Sequence, residues 1–108
     1  MPRFSIVFVT APPGRAAAKI ARTVVEKKLA ACVNIVPAVR SVYRWKGKIE
    51  EGGESLLIMK TRSALFARLE RAVRDAHPYD VPEIVAFPLS RGHRPYFRWL
   101  DEETKTGR

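Results

Sequence analysis

The chain has almost no cysteine. Cys32 is the only one among 108 residues, so no intrachain disulfide forms and a reducing compartment is indicated. Long apolar runs are also absent, since none approaches the roughly 18 residues that a membrane span requires. The opening segment, Met1–Thr10, holds an apolar run too short for a signal-peptide core and is interpreted as a first strand. We therefore expect a cytoplasmic protein without a membrane partner.

The sequence lacks the short motifs of common enzymes. It contains no Gly-x-Ser-x-Gly, no phosphate-binding Gly-x-x-x-x-Gly-Lys and no Gly-x-Gly-x-x-Gly. Its two histidines, His77 and His93, and its single cysteine do not have the close spacing of a structural zinc site. We therefore do not expect an enzyme.

Acidic residues are few. There are 11 of them against 20 lysines and arginines, which gives a formal net charge of +9. Such an excess raises nucleic acid or an anionic surface as a partner. The basic residues alternate with apolar ones along two predicted helices, as on a solvated helix face. They include Arg15, Lys19, Arg22, Lys27, Lys28, Arg68, Arg71 and Arg74. We favour the solvated face, with no specific nucleic-acid partner, and keep a nucleic-acid surface as the alternative.

The first half of the chain alternates between strand and helix patterns. Phe4–Val9 is apolar apart from Ser5, which predicts a strand covered on both faces. Apolar residues then recur with the helical period over Ala17–Leu29. The segment 32–45 is rich in β-branched and aromatic residues and is predicted to be extended, with a bulge or edge position at Pro37.

The second half repeats this alternation. A turn, a returning strand, a helix, a buried strand and a terminal helix are predicted at Lys46–Lys48, Leu56–Met59, Leu65–Ala76, Ile84–Phe87 and Tyr96–Glu103. Gly52 and Gly53 predict a bulge or irregular stretch before the returning strand. The order β-α-β-β-α-β plus a C-terminal helix is typical of a ferredoxin-like α+β sandwich, formed as one domain over residues 1–108.

The central hairpin is too long for its own domain. Ala31–Trp45 would reach on the order of 50 Å if fully extended. A compact domain of this length has a radius of gyration of only about 13 Å. The tip, Tyr43–Ile49, is therefore expected to overhang the globule. Because exposed strand edges invite association, we expect strands to pair between subunits.

A stiff polar segment, His77–Ile84, joins the second helix to the last strand. Pro78 and Pro82 fix their own φ and push the preceding residues towards extended conformations. The segment is either a pre-shaped site or a rigid connection whose polar groups face water. His77 itself is a candidate metal ligand or general base, and its alternative role is that of a cap at the helix C-terminus.

Several segments of the chain resemble one family in their order and spacing. They are Thr10–Pro12, Leu29–Pro37, Ser41–Glu51, Lys60–Thr61, His77–Ile84 and Tyr96–Leu100. Over almost the whole chain these segments resemble the CutA family of divalent-cation-tolerance proteins. The resemblance implies a homotrimer and a role in tolerance to divalent metal ions, copper especially, exercised by binding or signalling rather than by catalysis.

The resemblance also implies a bound divalent cation, either Cu²⁺ or another ion, and no organic cofactor. Some CutA relatives carry a cysteine directly before Thr-Ala-Pro and a doubled histidine before Pro-Tyr, where this chain has Val9 and Ala76. Copper favours imidazole and thiolate donors, so His77 remains as the candidate ligand, with Cys32 as a second if the fold brings it near. The alternative for Cys32 is a small buried hydrophobe in its apolar surroundings.

A second candidate site combines aromatic and polar side chains. Its members are Tyr43, Trp45, Lys60, Tyr79, Glu83 and Trp99. If the hairpin reaches a neighbour's loop, these residues converge in an inter-subunit cleft, and polar groups among aromatics are typical of ligand sites. Each residue is explained equally well as part of a subunit interface with a satisfied polar tip.

Two other functions remain open. The expected trimer with inter-subunit clefts resembles the nitrogen-signalling PII proteins, which predicts small-molecule signalling or a protein-interaction trimer. RNA-binding domains built on the same element order stack bases on strand aromatics. The third-strand candidate, Ser55–Lys60, has no aromatic residue, so RNA binding ranks third.

Overall fold

A computed structural model describes residues 3–105 of the chain. Within them the elements are β1 (Phe4–Ala11), α1 (Arg15–Glu26), β2 (Cys32–Trp45), β3 (Lys48–Arg62), α2 (Phe66–Ala76), β4 (Ile84–Pro88) and α3 (Arg94–Glu103). A short 3₁₀ turn, Ser63–Leu65, leads into α2. The predicted α+β class and the predicted order of elements are confirmed.

The strands form one antiparallel sheet in the order β2-β3-β1-β4. The central strand β1 pairs with β3 from Phe4 opposite Arg62 to Ala11 opposite Ser55. On its other side β1 pairs with β4, with Val9 opposite Ile84. The sheet order leaves β2 and β4 as the two edge strands.

The hydrophobic core lies between the sheet and the helices α1 and α2. Side chains alternate between the two faces of a strand, and β1 accordingly buries Val7, Val9 and Ala11 on the helix side. The two helices contribute residues at the helical period, namely Ala17, Ile20, Ala21, Val24, Leu69, Ala72 and Val73. These two helices therefore cover one face of the sheet.

Helix α1 ends at Glu26, earlier than the predicted Leu29. Lys28 adopts a left-handed conformation with φ of 59°. Its N–H donates to the carbonyl of Val25 at 3.0 Å, and the N–H of Leu29 donates to the carbonyl of Val24 at 2.9 Å. This pair of bonds closes a helix C-terminus. It also turns Leu29 back into the core, where the side chain is buried.

The long hairpin of β2 and β3 has its irregularity on β2, as predicted at Pro37. The register shifts between Val36 and Val39, because Pro37 has no N–H to donate to the ladder. The irregularity predicted at Gly52 and Gly53 is wrong, since both pair in regular register with β2. The one extra residue of β2 already accounts for the shift, so β3 continues unbroken to Arg62.

The hairpin turn consists of Lys46 and Gly47. Their φ values of 51° and 80° are both positive, and Trp45 pairs with Lys48. Two positive φ values define the two-residue turn whose twist matches that of the strands. The chain is elongated, with extents of 44 × 25 × 22 Å, and the tip side chains of Val42 and Ile49 are exposed.

The second face of the sheet is open along β4, which corrects the prediction that β4 is a buried strand. Every residue of β1 is buried or half-buried. Val85 and Phe87 of β4 are 49% and 43% exposed. Helix α3 lies at one end of this face, where Phe97 stacks on Phe4 with ring centroids 4.7 Å apart. With ten residues, α3 is about 15 Å long. It is therefore too short to cover the rest of the face.

Candidate functional site

A cavity of about 660 Å³ lies between the long hairpin and the loop that follows α2. This volume is within the range typical of small-molecule sites. The hairpin and the loop supply most of its wall, and β1 adds one residue. The lining residues are Thr10, Arg40, Ser41, Val42, Tyr43, Trp45, Glu54, Tyr79, Asp80, Val81 and Glu83.

Glu54 of β3 joins the hairpin to the loop. One carboxylate oxygen accepts a hydrogen bond from Ser41 Oγ at 2.6 Å, and the other accepts one from the Tyr79 hydroxyl at 2.9 Å. Ser41 and Glu54 lie on neighbouring strands of the hairpin, whereas Tyr79 follows α2. Ser41 and Glu54 were not predicted as site residues, because their roles depend on the strand register.

The phenol of Tyr79 is held in its protonated form. Partial burial and then the hydrogen bond to the charged Glu54 raise the pKa of Tyr79 to about 12. Removing the proton would place a second negative charge beside the carboxylate. Tyr79 is therefore a hydrogen-bond donor at neutral pH and does not act there as a base.

His77 fixes the start of the loop. Its Nδ1 accepts a hydrogen bond from the Tyr79 backbone N–H at 3.1 Å, so Nε2 carries the proton and donates to the Thr10 carbonyl at 2.7 Å. The side chain is buried, with 8% of its surface exposed. Both ring nitrogens are therefore engaged within the chain, and a cation at His77 has to displace one of these bonds.

The predicted cleft residues fall into two groups. Tyr43, Trp45, Tyr79 and Glu83 line the same cavity of a single chain. Lys60 lies elsewhere on the sheet, where its ammonium contacts Asn34 Oδ1 and is 3.8 Å from Cys32 Sγ.

Trp99 lies on α3, also outside the cavity. Its ring packs against Tyr96, with centroids 5.5 Å apart. The single chain therefore brings together four of the six residues that the sequence analysis grouped.

The two candidate metal ligands are separated in the chain. His77 contacts Thr10 near the end of β1. Cys32 on β2 lies opposite Lys60 on β3, which in turn lies opposite Ile6 on β1. Thr10 and Ile6 are four residues apart on one strand, which is about 13 Å. Within residues 3–105, no three or more His, Cys, Asp or Glu side chains are grouped so that they could hold a metal ion.

The fold and cavity define a small α+β protein with a ligand-sized cleft beside a long antiparallel hairpin. Residues 5–103 match the family described as CutA1 divalent ion tolerance protein. The chain belongs to this family.

Relatives in animals and bacteria support this membership. Protein CutA of Mus musculus is 49% identical over 94% of this chain, which spans 58% of that relative's length. The divalent-cation tolerance protein CutA of Thermus thermophilus is 48% identical over 92% of this chain and 96% of its own. Of the two, the Thermus thermophilus protein is named as a tolerance protein, and neither is named as an enzyme.

Solved structures of the family share the fold. The divalent cation tolerance protein of Thermus thermophilus superposes with a TM-score of 0.92 at 47% identity, covering 94% of this chain and 99% of that one. CutA1 from Oryza sativa superposes with a TM-score of 0.94 at 42% identity, covering 98% and 97%.

Relatives of this chain are named for different cellular compartments. A CutA from Arabidopsis thaliana is named chloroplastic, and the solved CutA of Archaeoglobus fulgidus is described as periplasmic. Across residues 3–105 of this chain, none of the helices has the length and apolar character required to cross a membrane.

Proposed function

We propose that this protein contributes to divalent-cation tolerance as a non-catalytic binding protein assembled from identical chains. The observation that carries the proposal is the uncovered apolar face of the sheet, which includes Val85 and Phe87. Exposed apolar patches of this kind mark interaction surfaces. The predicted partner is a second and third copy of the chain, and the number three comes from the resemblance to the family.

The long hairpin supports assembly as well. β2 is an edge strand of fourteen residues. Within residues 3–105, no strand pairs with the backbone groups on its outer edge. Tyr43 and Trp45 near its tip are each 48% exposed. Pairing this edge with a neighbouring chain would satisfy its backbone groups and cover aromatic surface.

Copper or another divalent cation is the proposed inorganic ligand, with His77 and Cys32 as candidate donors. The affinity is expected to be modest, because a metal at His77 competes with the Thr10 carbonyl and the Tyr79 amide. A metal bound by imidazole also competes with protons, so binding should weaken in acid.

A binding role is proposed in preference to catalysis because, within residues 3–105, no histidine or carboxylate forms a hydrogen bond with the cysteine. The hydrogen-bond partners of the Cys32 thiol there are Lys60 and Asn34. We keep the cytoplasm as the proposed compartment, on the basis of the single cysteine.

Native mass spectrometry with and without copper tests this proposal. The expected result is a species of about three times the 12.2 kDa chain that gains mass when copper is added. A monomer would remove the basis for assembly. A trimer that binds no divalent cation would support the proposed assembly and contradict the proposed cation role.

Small-molecule signalling is the second candidate, and the cavity of about 660 Å³ favours it. Such a site needs a concave wall with a few placed polar groups, which Glu54, Tyr79 and Asp80 supply. Binding of small metabolites in the absence of any metal would favour this candidate.

A further inference from the structure

The loop of residues 77–83 is held in place through the imidazole of His77. Nε2 donates a hydrogen bond to the carbonyl of Thr10 at 2.7 Å, and Nδ1 accepts one from the N–H of Tyr79 at 3.1 Å. The imidazole is buried and packs against the Tyr79 ring, with centroids 4.7 Å apart. All of these contacts are made within one chain, around a side chain that solvent scarcely reaches.

Tyr79 extends this connection to the long hairpin. Its hydroxyl donates to Oε2 of Glu54 at 2.9 Å, and Ser41 Oγ donates to the other carboxylate oxygen at 2.6 Å. The connection therefore runs from Thr10 on the central strand β1, through the imidazole and Tyr79, to the hairpin. A change at the imidazole has a direct route to Glu54.

The neutral imidazole of His77 has one lone pair to offer a cation, and that lone pair is already used. It lies on Nδ1, where it accepts from the Tyr79 N–H. Coordination through Nδ1 takes the lone pair away from this amide. Coordination through Nε2 moves the ring proton to Nδ1, so that two N–H groups face each other and Thr10 loses its donor as well. Whichever nitrogen binds the cation, Tyr79 loses its hydrogen bond to the ring.

The space beside Nδ1 leads to the same result. An imidazole nitrogen binds zinc at about 2.0–2.1 Å. The amide nitrogen of Tyr79 is 3.1 Å from Nδ1, so an ion on that line would be only about 1 Å from the amide. Tyr79 must therefore move. The loop is free of helix and strand and can do so, whereas Thr10 lies on β1, which is paired along both edges.

We propose that the loop 77–83 responds to cation binding: coordination at His77 releases the Tyr79 amide and loosens the hydrogen bond between Tyr79 and Glu54. The inference rests on the proposed cation role and adds the device by which a bound ion changes the conformation of the chain. Zinc and copper both accept an imidazole donor. Part of the binding free energy is used to release the loop, which lowers the observed affinity.

NMR of the full chain, with Zn²⁺ as a diamagnetic probe, tests this device. On zinc addition we expect the Tyr79 amide proton to move upfield and to exchange with water at least about 10-fold faster, because its acceptor is lost. The amide of Val24, in the middle of the core-facing side of α1, should remain unchanged. Zinc binding that leaves the Tyr79 amide and its exchange rate unchanged would overturn the inference.

Two histidine variants form a matched pair. His77→Ala removes the acceptor of the Tyr79 amide, so this amide should exchange fast without zinc and should not respond to zinc. His93→Ala makes the same chemical change at the exposed start of α3 and should behave like wild type. A slowly exchanging Tyr79 amide in His77→Ala, or equal behaviour of the two variants, would contradict the role assigned to the imidazole.

Reciprocity provides a second test, independent of the amide signal. If zinc binding loosens the bond between Tyr79 and Glu54, a chain that lacks this bond must bind zinc more tightly. Tyr79→Phe keeps the ring and the amide but lacks the hydroxyl. Calorimetry should show its zinc affinity raised by roughly 3-fold to 10-fold, which corresponds to one hydrogen bond. An affinity equal to that of wild type, or below it, would overturn the coupling.

This inference and the proposed cation role fail in different ways. Calorimetric binding of zinc without a response of the Tyr79 amide overturns the inference and leaves the cation role intact. Absence of binding for both zinc and copper contradicts the cation role, and the inference with it.

Discussion

The hydroxyl of Tyr79 donates a hydrogen bond of 2.9 Å to Oε2 of Glu54 and thereby joins the loop after α2 to the long hairpin. The two residues are 25 positions apart and belong to different elements. Ser41 holds the other oxygen of the same carboxylate. Since the cavity lies between the two segments that this bond connects, the position of the loop and the shape of the cavity depend on it.

The first prediction concerns the ionisation of Tyr79. Its phenol should titrate near pH 12, above the ordinary value of 10, because partial burial and Glu54 disfavour the anion. Glu54→Gln should lower the pKa of Tyr79 but not to its ordinary value, since burial remains the larger cause. Ultraviolet difference titration at 295 nm, with Tyr79→Phe to assign the transition, measures this. An unchanged titration in Glu54→Gln would contradict the hydrogen bond.

The same shift affects stability at high pH. Because the pKa of Tyr79 is higher in the folded than in the unfolded protein, the protonated phenol stabilises the fold. This stabilisation is complete below about pH 10 and is lost as pH rises through 12. Wild type should therefore lose more of its unfolding free energy between pH 10 and 12 than Tyr79→Phe does. Denaturant unfolding at a series of pH values tests this expectation.

The second prediction concerns assembly. Multi-angle light scattering at micromolar concentration should give about three times the chain mass of 12.2 kDa. Trp45→Glu and Phe87→Glu should each shift the protein towards smaller species, because each places a charge in surface that assembly would bury. Lys19→Glu changes the exposed side of α1 and serves as the control. Equal masses for Phe87→Glu and Lys19→Glu would argue against the sheet face as the interface.

The third prediction concerns the packing of α3. A methyl group added at Gly92 would lie 2.4 Å from the ring of Phe97. Phe97 cannot move away freely, because it stacks on Phe4 at 4.7 Å. Gly92→Ala should therefore lower the free energy of unfolding by about 1–3 kcal/mol, the usual cost of overpacking.

Gly53→Ala is the matched control for this packing. A methyl group at Gly53 meets no atom within 4 Å, and alanine is preferred over glycine within a strand. Its stability should equal or slightly exceed that of wild type. Denaturant unfolding at one protein concentration compares the three proteins, and a Gly92→Ala variant as stable as Gly53→Ala would disprove the packing argument.

The fourth prediction concerns copper. Calorimetric titration should show modest affinity that falls in His77→Ala and falls in acid, because the proton and the metal compete for the imidazole. Cys32→Ser should have the smaller effect, since Cys32 lies two strands away from β1 and in the row of Ile6, about 13 Å along the strand from Thr10. Unchanged binding in His77→Ala would remove that residue as a donor, and loss confined to Cys32→Ser would move the site to the thiol.

The fifth prediction concerns the positive charge. The basic residues of α1 and α2 alternate with buried ones, so they are expected to act as a solvated surface. Binding to random single-stranded RNA at physiological salt should stay within roughly 10⁻⁴–10⁻⁶ M and weaken steeply with added salt. Nanomolar, sequence-selective binding in a filter or anisotropy assay would restore the nucleic-acid alternative.

The elements predicted well are those that depend on local pattern. The helical period of Ala17, Ile20 and Val24 and the missing N–H of Pro37 act over a few residues. Both were therefore readable from sequence. The end of α1 was missed because a lysine, and not a glycine, adopts the left-handed conformation there.

The candidate site was predicted only in part. Tyr43, Trp45, Tyr79 and Glu83 were identified as aromatic and polar residues of stiff or extended segments, and they share one cavity. Ser41 and Glu54 escaped notice because a serine and a glutamate on a strand are ordinary surface residues. Only the pairing register and the position of Tyr79 make them partners.

The sequence by itself determined the order of elements, the long hairpin with its tight turn, and a rigid loop after the second helix. These follow from side-chain periodicity and from the φ limits of proline and glycine, which act locally. Only the tertiary structure decided that His77 donates to Thr10, 67 residues away, and that α3 covers only one end of the second face of the sheet within the described chain. Such contacts depend on how distant segments pack, and no local pattern specifies that.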